Sequence, residues 1–208
     1  MTRRDMDEGG PLGAGGFSAW LSEMQSALAG ERASDVPCGT CTACCTSAQF
    51  VHIGPDETDT LAAIADELLF PAPGLPAGHV LLGYDERGHC PMLVDGACSI
   101  YARRPRACRT YDCRVFAAAG VDPEEDTKPL IAARASRWRF DHPTPDDQRA
   151  HDAVRAAAAY LEAPPAELPA ELVAGSATRR AVLAVEIHER FLVAIGPQPS
   201  RASSVTNE

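Results

Sequence analysis

The residues best suited to chemistry are eight cysteines, all lying between positions 38 and 113. Four are crowded into Cys38-Gly39-Thr40-Cys41-Thr42-Ala43-Cys44-Cys45. The other four are spread out: Cys90, followed directly by Pro91, then Cys98, Cys108 and Cys113. Thiolates are soft ligands that select zinc, copper(I) or iron–sulfur clusters. A two-residue gap lets two sulfurs converge on one centre from a tight turn, where backbone amides can donate to sulfur. The expectation is that all eight cysteines are metal ligands.

Other uses of cysteine fit this pattern less well. Buried thiols acting as small hydrophobes would be scattered along the chain. A disulfide scaffold needs an oxidising compartment. The start, Met1-Thr2-Arg3-Arg4, runs straight into Asp5, Asp7 and Glu8 with no apolar stretch of the secretory kind. A thioredoxin-like pair at Cys38 and Cys41 would leave the other cysteines unexplained. The radical-SAM spacing begins at Cys41 and Cys45, but position 48 is alanine.

The spacing leaves the identity of the metal open. Cys38, Cys41 and Cys44 match the first three ligands of a bacterial ferredoxin run, and Cys90-Pro91 is a remote candidate for the fourth. Two tetrahedral zinc sites would use all eight sulfurs equally well. Arg103, Arg104, Arg106, Arg109 and Arg114 surround the second group, with only Asp112 opposing them. Their charge would offset that of a thiolate-bound ion and favour loading. His52 and His89 flank the cysteine groups as secondary ligand candidates, and Tyr101 and Tyr111 could shield the centre from water.

These residues resemble the YkgJ-type CxxCxxCC cysteine-cluster family, a zinc- or iron-chelating domain. Cys38 to Cys45 match its name-giving motif. Cys90-Pro91 with Cys98-Ser99-Ile100-Tyr101 match its second segment, and Arg104 to Cys113 resemble its closing RPxxCRxYxC stretch. The resemblance covers residues 36 to 115 or so and includes every cysteine. It implies a bound metal or iron–sulfur cluster, with an oxidoreductase role as one option.

The expected frame is α+β and predominantly helical: a small cysteine-rich metal-binding core with flanking helices. Residues 1–16 are Gly-rich and polar and are expected to form a disordered tail. Residues 17–120 would be the metal-binding domain, 121–196 a helical extension, and 197–208 a second disordered tail. Phe17, Trp20, Leu21, Met24 and Leu28 predict a helix ending near Gly30. Further helices are expected over 57–69, 129–140 and 177–195, and one opens at Thr144-Pro145-Asp146-Asp147 with a capping box. The last helix carries Ala181, Ala184, Val185, His188, Leu192 and Ile195 on one stripe. Short strands are expected over 50–53, 79–84 and 89–94, with turns at 85–88 and at Asp95-Gly96.

The net charge of −10 argues against non-specific nucleic-acid binding. No stretch reaches the roughly 18 apolar residues of a membrane span, and the cytoplasm is the expected compartment. The leading expectation is a metal-binding protein holding an iron–sulfur cluster or zinc, as a structural or a redox-active centre. The alternatives are an Fe–S oxidoreductase and a zinc-folded interaction module whose C-terminal helices dock another protein.

Overall fold

Residues 10–34, 36, 39–123, 128–163 and 175–192 are described by a computed structural model. Phe17, Trp20, Leu21, Met24 and Ala27 recur at helical spacing and form the buried face of α1 (Phe17–Leu28). Directly before it, Leu12–Gly16 forms β1 and pairs in parallel with β7 (Trp138–Asp141), Leu12 opposite Trp138 and Gly16 opposite Asp141. These residues were expected within a disordered tail. Composition alone hid the strand, because what orders it is a partner more than 120 positions away, with the strand's own Ala14 buried.

The partner strand corrects a second expectation. The helix foreseen over 129–140 covers only α5 (Pro129–Ala135). Trp138, Arg139 and Phe140 then alternate buried, exposed and half-buried, the period of a strand rather than a helix. By contrast, α6 (Pro145–Glu162) begins as its sequence requires. The Thr144 hydroxyl accepts from the Asp147 amide, and Asp147 Oδ2 accepts from the Thr144 amide in return. Asp147 Oδ1 also accepts from the Ser18 amide at 2.9 Å, tying the starts of α1 and α6 together. These bonds, the Thr144 hydroxyl first, hold the Asp147 carboxyl below the usual carboxylate range.

The main core gathers α1, α4 (Arg114–Ala119), α5, α6 and α7 (Ala177–Ile187) around Phe17, Trp20, Phe116, Ile131, Trp138, Val154 and Val185. Residues on both sides of position 120, the expected domain boundary, share this cluster. The final helix is interrupted at His188, whose buried ring lies 2.7 Å from the Val185 carbonyl through Nδ1. A short helix, α8 (Glu189–Leu192), follows. Ile195 and the expected tail at 197–208 lie outside the described residues, as do Glu124, Glu125 and Asp126.

The second core is much smaller. Ile53, Ile64, Leu82 and Ile100 are its buried members. Ile53 and Leu82 belong to a three-stranded sheet ordered β2 (Val51–Ile53), β4 (Val80–Leu82), β3 (Leu69–Pro71), with antiparallel pairing throughout. The helix expected over 57–69 shrinks to α2 (Thr58–Leu61) and a 3-10 turn at Asp66–Leu68, because Ala65 adopts an extended backbone that breaks it. Of the strand expected over 89–94, only Leu93–Val94 (β5) is extended. It pairs with Ala97–Cys98 (β6) across Asp95-Gly96, where both turn residues have positive φ. The whole is a mixed α+β architecture.

In the main core, His151 stacks on Phe17 at 4.2 Å and on His142 at 5.0 Å. Burial, then Arg155 and His142, lower its pKa to about 4 from 6.5. The ring is therefore neutral in the fold, and the unfolded chain takes up its proton first as the pH drops. Stability from this group is full above about pH 6.5 and is lost toward about pH 4. Thermal unfolding measured across that interval is expected to show a falling midpoint, with a shallower fall in His151→Phe.

Candidate metal centre

The crowded motif folds as a turn, not as an extended run. Ala43–Thr46 is a 3-10 helix, closed by the Ser47 hydroxyl donating to the Ala43 carbonyl and by Thr46 donating to Thr42. Residues so tightly wound send successive side chains in different directions. Cys44 and Cys45 thereby meet different neighbours.

Cys45 belongs with the later cysteines. The Cys90 amide donates to the Cys45 carbonyl at 2.7 Å, and the Ala48 amide donates to Gly88 at 2.9 Å, so the two stretches are bonded side by side. Cys98 follows from the β5–β6 hairpin, in register with Leu93, whose amide donates back to the Cys90 carbonyl. Cys90 and Cys98 both pack against the smaller core. Cys108 is brought in by α3 (Arg106–Thr110), which lies against β2.

Buried Glu57 holds α3 in place. Its carboxylate accepts from the Gly54 amide and the Arg106 amide, and pairs with Arg109 at 3.6 Å. Arg106 also pairs with Asp56 through its guanidinium.

Cys108 is exposed as a residue, yet nearby protein displaces water from its thiol. That desolvation, then Cys45, Cys90 and Cys98, push its pKa well above the usual thiol range, with Arg104 pulling the other way. Desolvation raises Cys90 too, and Cys98 adds to it. Cys45, Cys90 and Cys98 all make ionisation of Cys108 harder, a penalty that a bound cation would relieve.

Cys113 lies in the main core, and exposed Cys44 acts on Tyr111 beside it. Ala43 and Tyr111 pack against that core, and Cys113 is buried within it. Burial, then Cys44, Cys113 and Asp112, raise the pKa of the Tyr111 hydroxyl. Trp138 Nε1 donates to Cys113 Sγ at 3.2 Å. An N–H aimed at sulfur is what a ligating thiolate uses to spread its charge.

Directly behind Cys113 is a buried ionic network. Asp112 accepts from Trp20 Nε1 at 2.9 Å, from the Ser34 hydroxyl, and from Arg114 through Nε and an NH2 group at 2.7 Å. Arg114 reaches on to the Ala14 carbonyl at 3.2 Å. The network fixes the backbone on either side of the Cys113 position.

Other expected members fall elsewhere. Cys38 lies outside the described residues, and Cys41 is half-buried. His52 Nε2 is hydrogen-bonded to His79 Nδ1 at 2.9 Å rather than turned to a sulfur. His89 is held through its backbone amide by Asp85. Tyr101 is exposed with Arg104 lying over its ring, so it does not screen the cysteines as expected, whereas half-buried Tyr111 does stand beside them. Arg114 is buried and paired with Asp112, and Arg106 and Arg109 serve the acidic pair at 56 and 57. Of the five arginines, Arg104 is the one whose charge acts on Cys108.

The seven described cysteines form no disulfide. Among the described residues no three His, Cys, Asp or Glu side chains close tightly enough to chelate a single ion. Cys45, Cys90 and Cys98 are near enough to Cys108 for their charges to act on it, and thiolates suit a soft metal.

Thiols carried on a wound turn, a hairpin and two short helices are soft donors of the kind that suit zinc or iron. Residues 37–129, a little under half of the chain, match the family described as "CxxCxxCC: Putative zinc- or iron-chelating domain", and that segment carries the domain the sequence resembles. No curated protein and no solved structure matches the chain. None of the described helices is long and apolar enough to cross a membrane.

Proposed function

We propose that the protein holds two separate four-cysteine metal centres, each a zinc ion or an iron–sulfur cluster. Cys45, Cys90, Cys98 and Cys108 make one. Cys44 and Cys113 belong to the other, with Cys41 and Cys38 as the two sulfurs left to complete it. The observation carrying this reading is the divergence of neighbouring residues: the Cys45 carbonyl accepts from the Cys90 amide, while Cys44 and Cys113 act on Tyr111. Four thiolates around a zinc ion satisfy it without an open position, and the same ligand count serves an iron–sulfur cluster. Thiols of this kind persist in a reducing compartment, which favours the cytoplasm.

Serine substitutions test the division. Cys108→Ser and Cys113→Ser should each remove about half of the bound metal, and the double variant nearly all of it. If either single variant empties the protein while keeping it folded, one shared centre replaces two. Trp138→Phe removes the hydrogen bond to Cys113 and is expected to weaken retention at that centre by about 10-fold in a chelator competition. The centre built on Cys108 should be left unchanged.

A further inference from the structure

Beyond the cysteines, a cavity of about 430 Å3 opens between the end of α4, strand β7 and helix α6. That volume falls in the range of small-molecule sites, roughly 300–1,000 Å3. Phe116, Val121, Trp138 and Phe140 supply an apolar lining, and the stacked rings of His142 and His151 bound it as well. Its charged groups are Arg139, Arg155 and Asp122. Leaving the imidazoles aside, they sum to +1 (two arginines less one aspartate).

Two exposed arginines shape the rim of the cavity. Arg139 is fixed by donating to the backbone carbonyls of Ser136 at 2.7 Å and Trp138 at 2.8 Å. Arg155 lies against the left-handed end of α4: a Cβ on Gly120 (φ 64°) would stand 3.3 Å from its Nε. Gly120 therefore both permits the turn and leaves room for the guanidinium. Among the described residues Arg155 has no carboxylate partner, although arginine pairs readily with planar anions. The buried Nε2 of His151 likewise has no hydrogen bond of normal geometry, and the backbone of Ala117 is a polar group acting on that ring.

We propose that this cavity binds a small organic carboxylate with an apolar or aromatic body. The carboxylate meets Arg155, and the body lies against Trp138 and Phe140. A single negative charge matches the net charge of the lining, and the flat apolar wall rewards a ring more than a polyol. Because Trp138 also donates to Cys113, an occupant touches the same indole that contacts the cysteine centre.

The test uses the full chain as purified with its metal, titrated with benzoate and, for comparison, with benzyl alcohol and benzylamine. Benzoate should bind in preference to both. Arg155→Gln should weaken it by about 10-fold or more, and Arg155→Lys, which keeps the charge but loses the planar fork, by less. Metal content per chain should be the same in all three proteins. Benzoate binding no tighter than benzyl alcohol, or binding unaffected in both arginine variants, overturns the inference. Since metal is measured separately, benzoate binding by a metal-free chain would overturn only the metal reading.

Discussion

Asp112→Ala is expected to destabilise the native state by about 3–5 kcal/mol, the loss that follows when one half of a buried ion pair is removed. Arg114 would remain in the interior without the Asp112 carboxylate that it donates to. The Trp20 indole and the Ser34 hydroxyl would lose their acceptor at the same moment. Each orphaned buried donor adds its own desolvation loss. Denaturant titration should show the midpoint falling with little change in slope. Asp112→Asn keeps acceptors for some of the donors and should fall between wild type and Asp112→Ala. Removing both partners, as in Asp112→Leu with Arg114→Met, should cost less than Asp112→Ala alone, because no unmatched charge is left. A loss below about 1 kcal/mol for the alanine variant would mean that water or another group already satisfies Arg114. Since this network adjoins Cys113, the same variant should also retain metal less well at that centre.

Metal removal is expected to have an effect at least as large, but confined to one part of the molecule. The region carrying Cys45, Cys90, Cys98 and Cys108 rests on four buried apolar residues, Ile53, Ile64, Leu82 and Ile100. Its strands are two or three residues long. So small a core contributes only a few kcal/mol and ordinarily needs a staple. A structural metal can supply on the order of 10 kcal/mol. Chelation should therefore strip hydrogen-exchange protection from β2, β4 and the β5–β6 hairpin, while α1, α6 and α7 keep theirs. Uniform loss across both cores would show that metal stabilises the whole fold as one unit. Unchanged protection everywhere would mean the cysteines contribute nothing inorganic to stability.

The cysteine pattern was legible because ligand spacing is local and chemically specific. Helices α1 and α6 were legible for related reasons. Phe17, Trp20, Leu21 and Met24 repeat at the helical period, and Thr144 with Asp147 closes a capping box within a single turn. What stayed hidden depends on distant partners. Leu12–Gly16 looks like a tail until Trp138–Asp141 pairs with it. Asp112 reads as the lone acid in a basic stretch, and only folding shows that Arg114 and Trp20 converge on it. Trp138 lies outside the recognised motif, and no spacing rule links it to Cys113. The assortment of Cys44 and Cys45 to different neighbours is likewise a property of one 3-10 turn, set by backbone geometry rather than by spacing. The arginines illustrate the limit from the other side: five near the cysteines suggested a common electrostatic role, yet three are committed to Asp56, Glu57 and Asp112.

The central claim is that inorganic centres are bound at these sulfurs. Its most direct test is a combined assay of zinc, iron and acid-labile sulfide, with a thiol count, on protein purified without air. The account predicts two loaded centres per chain, either as colourless zinc sites or as iron with matching sulfide, and thiols that react only after chelation. Folded protein containing neither metal, with all eight thiols immediately reactive, would contradict it.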